Sequence, residues 1–197
     1  MKRMHTALVL TTAVLTVLAL APMAGASPVN VGQLEVNAGY AKSSNSVTPN
    51  DDSMGGGIAF GAGYWRNASP AVTWGAELSF DNLGSADYDN GVSTTTLSSH
   101  TFRVTPELRY NIGAGVGPSF FAQAGAGLYS VSAKVEDSVA GSLTDSSSKF
   151  GFNVGAGVNV PVGPATKMNF TGLYHSVSTE GESLHYLQFR AGIGFGL

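Results

Sequence analysis

The chain has 197 residues, with 10 Lys and Arg against 13 Asp and Glu, a formal charge of -3 and no cysteine. The missing cysteines exclude disulfides, thiolate metal sites and a Cys nucleophile, and the mild acidity argues against a nucleic-acid surface, which needs clustered cations to replace phosphate counterions. Only 12% of residues are charged while 26 are glycine, a balance that suits a surface covered by something other than water.

At the N-terminus, Lys2 and Arg3 precede an apolar run from Ala7 to Ala21 and the small-x-small pattern Ala24-Gly25-Ala26. The run is shorter than the roughly 20 apolar residues of a membrane-spanning helix, so the pattern predicts a cleaved export signal over residues 1–26. Residues 27–197 then form one domain.

Within that domain, eight segments alternate apolar with polar or glycine residues. The first sets Leu34, Val36, Ala38 and Tyr40 against Glu35, Asn37 and Gly39. The second sets Ile58, Phe60, Ala62 and Tyr64 against Ala59, Gly61 and Gly63, and the third sets Val72, Trp74, Ala76, Leu78 and Phe80 against Thr73, Gly75, Glu77 and Ser79. In the fourth, Phe102, Val104, Pro106, Leu108 and Tyr110 face away from Arg103, Thr105, Glu107 and Arg109. The fifth opposes Phe120, Ala122, Ala124, Ala126 and Leu128 to Gln123, Gly125, Gly127 and Tyr129; the sixth opposes Phe150, Phe152, Val154 and Ala156 to Lys149, Gly151, Asn153 and Gly155. Met168, Phe170 and Tyr174 against Lys167, Asn169, Thr171 and His175 make the weaker seventh. Leu187, Phe189, Ala191, Ile193, Phe195 and Leu197 against Tyr186, Gln188, Arg190, Gly192 and Gly194 make the last. A period of two sustained this long is strand. Pro106 removes a ladder hydrogen bond and predicts a bulge or bend in the fourth strand.

Short turns at residues 66–70, 113–118 and 161–165 alternate with long polar loops at 43–54, 82–98, 133–147 and 177–183. In an up-and-down array this places every long loop at one end, the polarity of membrane barrels. The predicted fold is therefore all-β, an eight-stranded antiparallel up-and-down transmembrane barrel. A soluble, lipocalin-like periplasmic carrier is the competing arrangement. The lumen of eight strands is just wide enough to be filled by side chains, and the apolar face is too bulky for it, so that face should meet lipid. On this reading Tyr40, Phe80, Phe102, Phe150 and Tyr174 form an aromatic girdle near the long loops, and Tyr64, Trp74, Tyr110, Phe120, Phe170 and Phe195 form one near the short turns. The inner face gathers Glu35, Glu77 and Glu107 with Arg103, Arg109, Lys149, Lys167 and Arg190, which must pair because an unpaired buried charge is costly.

The strand repeat, the segment Thr105-Pro106-Glu107-Leu108-Arg109-Tyr110 and the ending Ala191-Gly192-Ile193-Gly194-Phe195-Gly196-Leu197 resemble the small eight-stranded outer-membrane barrels of the OmpA/OmpX type. The resemblance covers residues 27–197 and is to the barrel alone, without a peptidoglycan-binding domain. It implies an outer-membrane location, contact with lipid and lipopolysaccharide, delivery by the outer-membrane insertion machinery and a monomer. The final Leu197 departs from the aromatic common at that position, and Phe195 stands two places before it. The implied role is structural or one of surface interaction, without enzymatic activity, cofactor or metal. A salt-bridge plug filling the barrel is the main expectation for the inner charges; a gate opening a small ion or solute channel is the alternative. A lipid A-modifying enzyme is a further alternative, resting on His175, Ser176, Ser178, Glu180 and Glu182. The deacylase pattern, however, has Ser two residues after His, where this chain has Val177. Asp87-Tyr88-Asp89-Asn90-Gly91 echoes a calcium loop but lacks its downstream Glu.

Overall fold

The computed structural model describes residues 32–44, 54–89, 94–113, 117–137, 141–178 and 183–197, without the side chain of residue 89. The predicted export signal, Asn90, Gly91, Glu180 and Glu182 lie outside the described residues. Eight strands follow one another: β1 Gly32–Ser43, β2 Gly57–Asn67, β3 Val72–Asp89, β4 Thr94–Ile112, β5 Ser119–Asp137, β6 Gly141–Pro161, β7 Thr166–Val177 and β8 Leu184–Gly196. Each pairs antiparallel with its neighbours, and β1 pairs with β8 from Gln33↔Gly196 to Ser43↔Tyr186, closing the barrel. The Leu197 amide extends the seam by donating to the Gly32 carbonyl at 2.8 Å. Closure leaves no backbone edge inside lipid, where unpaired peptide groups would find no water.

Two of the predicted long loops are largely strand. The β3–β4 ladder continues past Asn82↔His100 to Asp89↔Thr94, and the β5–β6 ladder reaches Asp137↔Gly141. Outside the membrane both faces of a sheet meet water, so Ser and Thr occupy both and the period-two hydrophobic signal fades although the backbone pairing persists. A one-residue bulge between Asn82 and Ser85 marks the transition. Gly84 sits there at φ 88°, a left-handed conformation that a side chain would oppose.

Pro106 gives no bulge. It stands opposite Ala76 on one side, and towards β5 the pairing lapses at Thr105 and Pro106 and resumes at Glu107↔Gly125 in the register of Val104↔Leu128. The lost donor is absorbed as a local gap in one ladder.

All eleven predicted girdle aromatics lie on the outer face, exposed or half-buried, and Phe60 joins them, stacked on Phe80 with ring centroids 5.2 Å apart. The expected split of bulk outside and small groups inside is too simple, because Trp65, Phe121, Tyr129 and Tyr186 are buried in the lumen. Near the outer end, Tyr129 and Tyr186 join Ala41, Met54, Ala59, Leu83 and Val177 in an apolar cap, with Leu97, Val131 and Leu184 packed against it.

Candidate functional site

Inward-facing charges sit on alternate residues of β1, β3, β4 and β8, so the pleat aims them at one another across a lumen narrower than two long side chains. Arg103 on β4 is the centre. Its Nη2 donates to Glu77 Oε1, its Nε lies 3.3 Å from Asp81 Oδ2, and its Nη1 lies 3.5 Å from Glu107 Oε1 and 3.0 Å from Thr105 Oγ1. Arg190, arriving from β8, donates through Nη1 to the same Glu77 oxygen. One carboxylate oxygen thus ties together β3, β4 and β8.

The other carboxylates are engaged through more donors. Asp81 accepts from the Tyr186 hydroxyl at 2.8 Å, Gln188 Nε2 at 2.7 Å and Ser79 Oγ at 2.7 Å. Glu107 accepts from Thr105 Oγ1 at 2.7 Å, Asn153 Nδ2 at 2.8 Å and Gln123 Nε2 at 3.2 Å. Gln123 links this upper group to a lower one, since its Oε1 accepts from Arg109 Nε at 2.8 Å. Arg109 makes a two-pronged bond to Glu35 at 2.7 and 2.9 Å, the geometry a planar guanidinium favours. Its charged carbon stands 3.5 Å from the centroid of the Trp65 ring and 4.7 Å from that of Phe121, so two aromatic faces shield the pair from below.

These ion pairs bring together Glu35, Glu77, Arg103, Glu107, Arg109 and Arg190, whose side chains are buried. Lys149, opposite Tyr129, and Lys167, opposite Gly194, are half-buried and flank the cluster at its two ends. Three participants had escaped the sequence reading: Asp81, Trp65 and Phe121. The signal was parity. Asp81 shares the inner phase of Thr73, Glu77 and Ser79, and Trp65 and Phe121 each follow a residue assigned to the lipid face.

His175 is also buried in the lumen. Its ring stacks on Tyr186 at 4.3 Å, and its nitrogens lie 3.2 Å from the Tyr129 hydroxyl and 3.3 Å from Gln188 Oε1. Ser176, next in the chain, is on the opposite face of β7, so the pleat separates the two groups that an acyl-transfer site would have to join. Asp87, of the calcium-loop echo, accepts from Thr96 Oγ1 at 2.7 Å. Among the described residues no group of three or more His, Cys, Asp or Glu is placed to hold a metal ion.

Residues 10–196 match the family model described as outer membrane protein beta-barrel domain. The chain belongs to the outer membrane protein β-barrel family. It is an outer-membrane protein whose strands cross the bilayer. Among solved structures this outer-membrane barrel is similar to Neisserial surface protein A, at 16% identity and a TM-score of 0.56, covering 84% of this chain and 97% of that one. A major outer membrane protein from Thermus thermophilus gives 12% identity and a TM-score of 0.56, with 84% and 99% covered. The N-terminal barrel of Pseudomonas aeruginosa OprF gives 14% and 0.50, with 85% and 99% covered. At these identities the likeness is one of fold. No curated protein matches the chain by sequence.

Proposed function

We propose that this outer-membrane barrel is closed to permeation and acts at the cell surface, through the sheet that β3 to β6 raise beyond the bilayer. The observation that carries this reading is the asymmetry of the rim. β7 stops pairing with β6 at Val177↔Gly151, and the Ser178 amide adds one bond to the Phe150 carbonyl at 3.0 Å. β6 nevertheless continues to Gly141 with β5 on one side only. Among the described residues no strand pairs with the outer backbone edge of residues 141–148, whose side chains are exposed, Leu143 at 79%. An open edge offers main-chain hydrogen bonds to an extended segment of another protein.

Several supporting roles follow. The lumen pairs act as a plug, because three guanidiniums and four carboxylates already fill the section of the barrel that an ion would have to cross. The outward aromatics anchor the barrel at the two bilayer interfaces. Phe195 on the closing strand and Leu197 just past its end present the signal to the insertion machinery, and residues 1–26 are the export signal removed before it. The protein works as a monomer without enzymatic activity, its exterior in contact with lipid and lipopolysaccharide.

Planar-bilayer recording of the refolded chain tests the plug: silence from protein shown to be inserted is expected, and reproducible conductance steps altered by Glu77→Ala would overturn it. Because the chain lacks cysteine, Asp145→Cys tests the edge. An impermeant maleimide should label it on intact cells, and protection from the reagent would show that the edge is covered.

A further inference from the structure

The lipid-facing surface is hollowed where β7, β8 and β1 meet. Gly172, Phe189 and Tyr40 share one outward row of these ladders, and Tyr174, Leu187 and Lys42 share the next row towards the long loops. Around the first row lies a slot of about 560 Å³, floored by Gly172, Ala191 and Ala38, which carry a methyl group or nothing. Its tall walls lean apart. The Phe189 ring lies over Gly172, where an added Cβ would meet Phe189 Cε1 at 3.3 Å. Tyr40 turns towards the start of β2, its hydroxyl donating to the Gly55 carbonyl.

The next row introduces polarity. Tyr174 stacks on His185 with ring centroids 5.7 Å apart, and its hydroxyl lies 2.8 Å from His185 Nδ1. Lys42 stands exposed on the other side of Leu187. Among the described residues it is the one formally charged side chain on the outward faces of β7, β8 and β1. Tyr40 belongs to the girdle near the long loops, so Lys42, about 7 Å further along the strand, stands among the headgroups of the outer leaflet. The charge is thus one row above the slot.

In a bilayer the hydrophobic effect does not draw a chain into such a slot, because the surrounding tails are equally apolar. Residence there has to come from dispersion contacts with the aromatic walls and from a head held by charge. One molecule meets both requirements when its acyl chain lies between Phe189 and Tyr40 and its anionic head reaches Lys42. We infer that this face holds a single lipopolysaccharide molecule, one acyl chain of its lipid A in the slot and a lipid A phosphate on Lys42. The site rests on the reading that the exterior contacts lipopolysaccharide, and gives that contact a place and a stoichiometry. A phosphate monoester, as in lipid A, carries close to two negative charges at neutral pH. The diester of a phospholipid carries one, so a lone lysine distinguishes them.

The test titrates the full barrel, refolded in detergent micelles, with purified lipid A and follows backbone amide shifts by NMR. Saturable shifts are expected at Lys42, Gly172 and Ala191 and not at Ala124 on the lipid face of β5. Lys42→Gln should weaken binding about fivefold, the equivalent of the roughly 1 kcal/mol that a basic side chain contributes at an anionic lipid surface. Ala191→Leu fills the slot and should abolish the shift at Gly172; its side chain points into lipid, and the heat-dependent gel shift checks that the barrel is intact. Lipid A affinity unchanged by both variants would overturn the site. Phosphatidylglycerol is expected to bind more weakly, and equal affinity would overturn the choice of lipid A. Shifts spread evenly over all eight strands would refute this site alone, whereas no shift at any outward residue would also refute the general contact with lipopolysaccharide. The plug and the β6 edge are read by conductance and by labelling of Asp145→Cys, so neither result depends on this one.

Discussion

Glu77 is where a single substitution should be most damaging. Its Oε1 accepts from both Arg103 and Arg190, and the two arginines are unequally protected against its loss. Arg103 retains Asp81 at 3.3 Å and Glu107 at 3.5 Å. Arg190 has Glu77 as its carboxylate partner among the described residues. Glu77→Gln keeps the shape and removes the charge, stranding Arg190 in a buried site, and breaking a buried pair in this way costs about 3–5 kcal/mol. At about 2–4 °C per kcal/mol for a chain of this size, the midpoint of the heat-dependent gel shift should fall by roughly 6–20 °C. Glu77→Gln combined with Arg190→Met removes both charges and leaves no stranded ion, so the double variant should recover more than half of the loss. A single variant within about 1 kcal/mol of the parent, or a double variant no more stable than the single, would refute the assignment of Glu77 as the hub.

Arg109→Lys should destabilise the barrel by about 2 kcal/mol in urea titrations, because an ammonium cannot make the two-pronged bond to Glu35 while lying flat between Trp65 and Phe121. The two tryptophans should separate in fluorescence: brominated acyl chains are expected to quench Trp74 on the lipid face and to spare Trp65 in the lumen, as Trp65→Phe and Trp74→Phe variants would show. Gly125→Ala would place its methyl against the Glu107 carboxylate, and a loss of about 1–3 kcal/mol is expected from the same titration.

The alternation of single residues made most of this barrel legible in advance, because inside a bilayer the two faces of a strand meet opposite environments and the sequence must record which is which. Glu35, Glu77, Arg103, Glu107, Arg109 and Arg190 could be placed in the lumen on parity alone. Who pairs with whom could not be read, since that depends on how far the ladder shears around the ring; Arg190 reaches β3 across two intervening strands. Asp81 was missed because β3 had been ended at Phe80, where the apolar face gives out. The projecting parts of β3 to β6 are hidden for the same reason, as residues 85–88, 94–96, 133–137 and 141–147 are exposed or half-buried on both faces. Pro106 misled in the other direction: a residue that usually bends a strand is accommodated by a gap in the β4–β5 ladder.

The seam between β1 and β8 joins the two most distant parts of the described chain, and Arg190 bonds Glu77 across a sequence separation of 113 residues. Contacts of that range are slow to form, because the entropy of closing so large a loop is lost before any contact returns it. The hairpins can assemble one by one, but the plug cannot, since its central carboxylate is shared between an early strand and the last one. Filling of the interior and sealing of the ring should therefore be one kinetic event, so that an arrested intermediate would be an open sheet with its charges still in water.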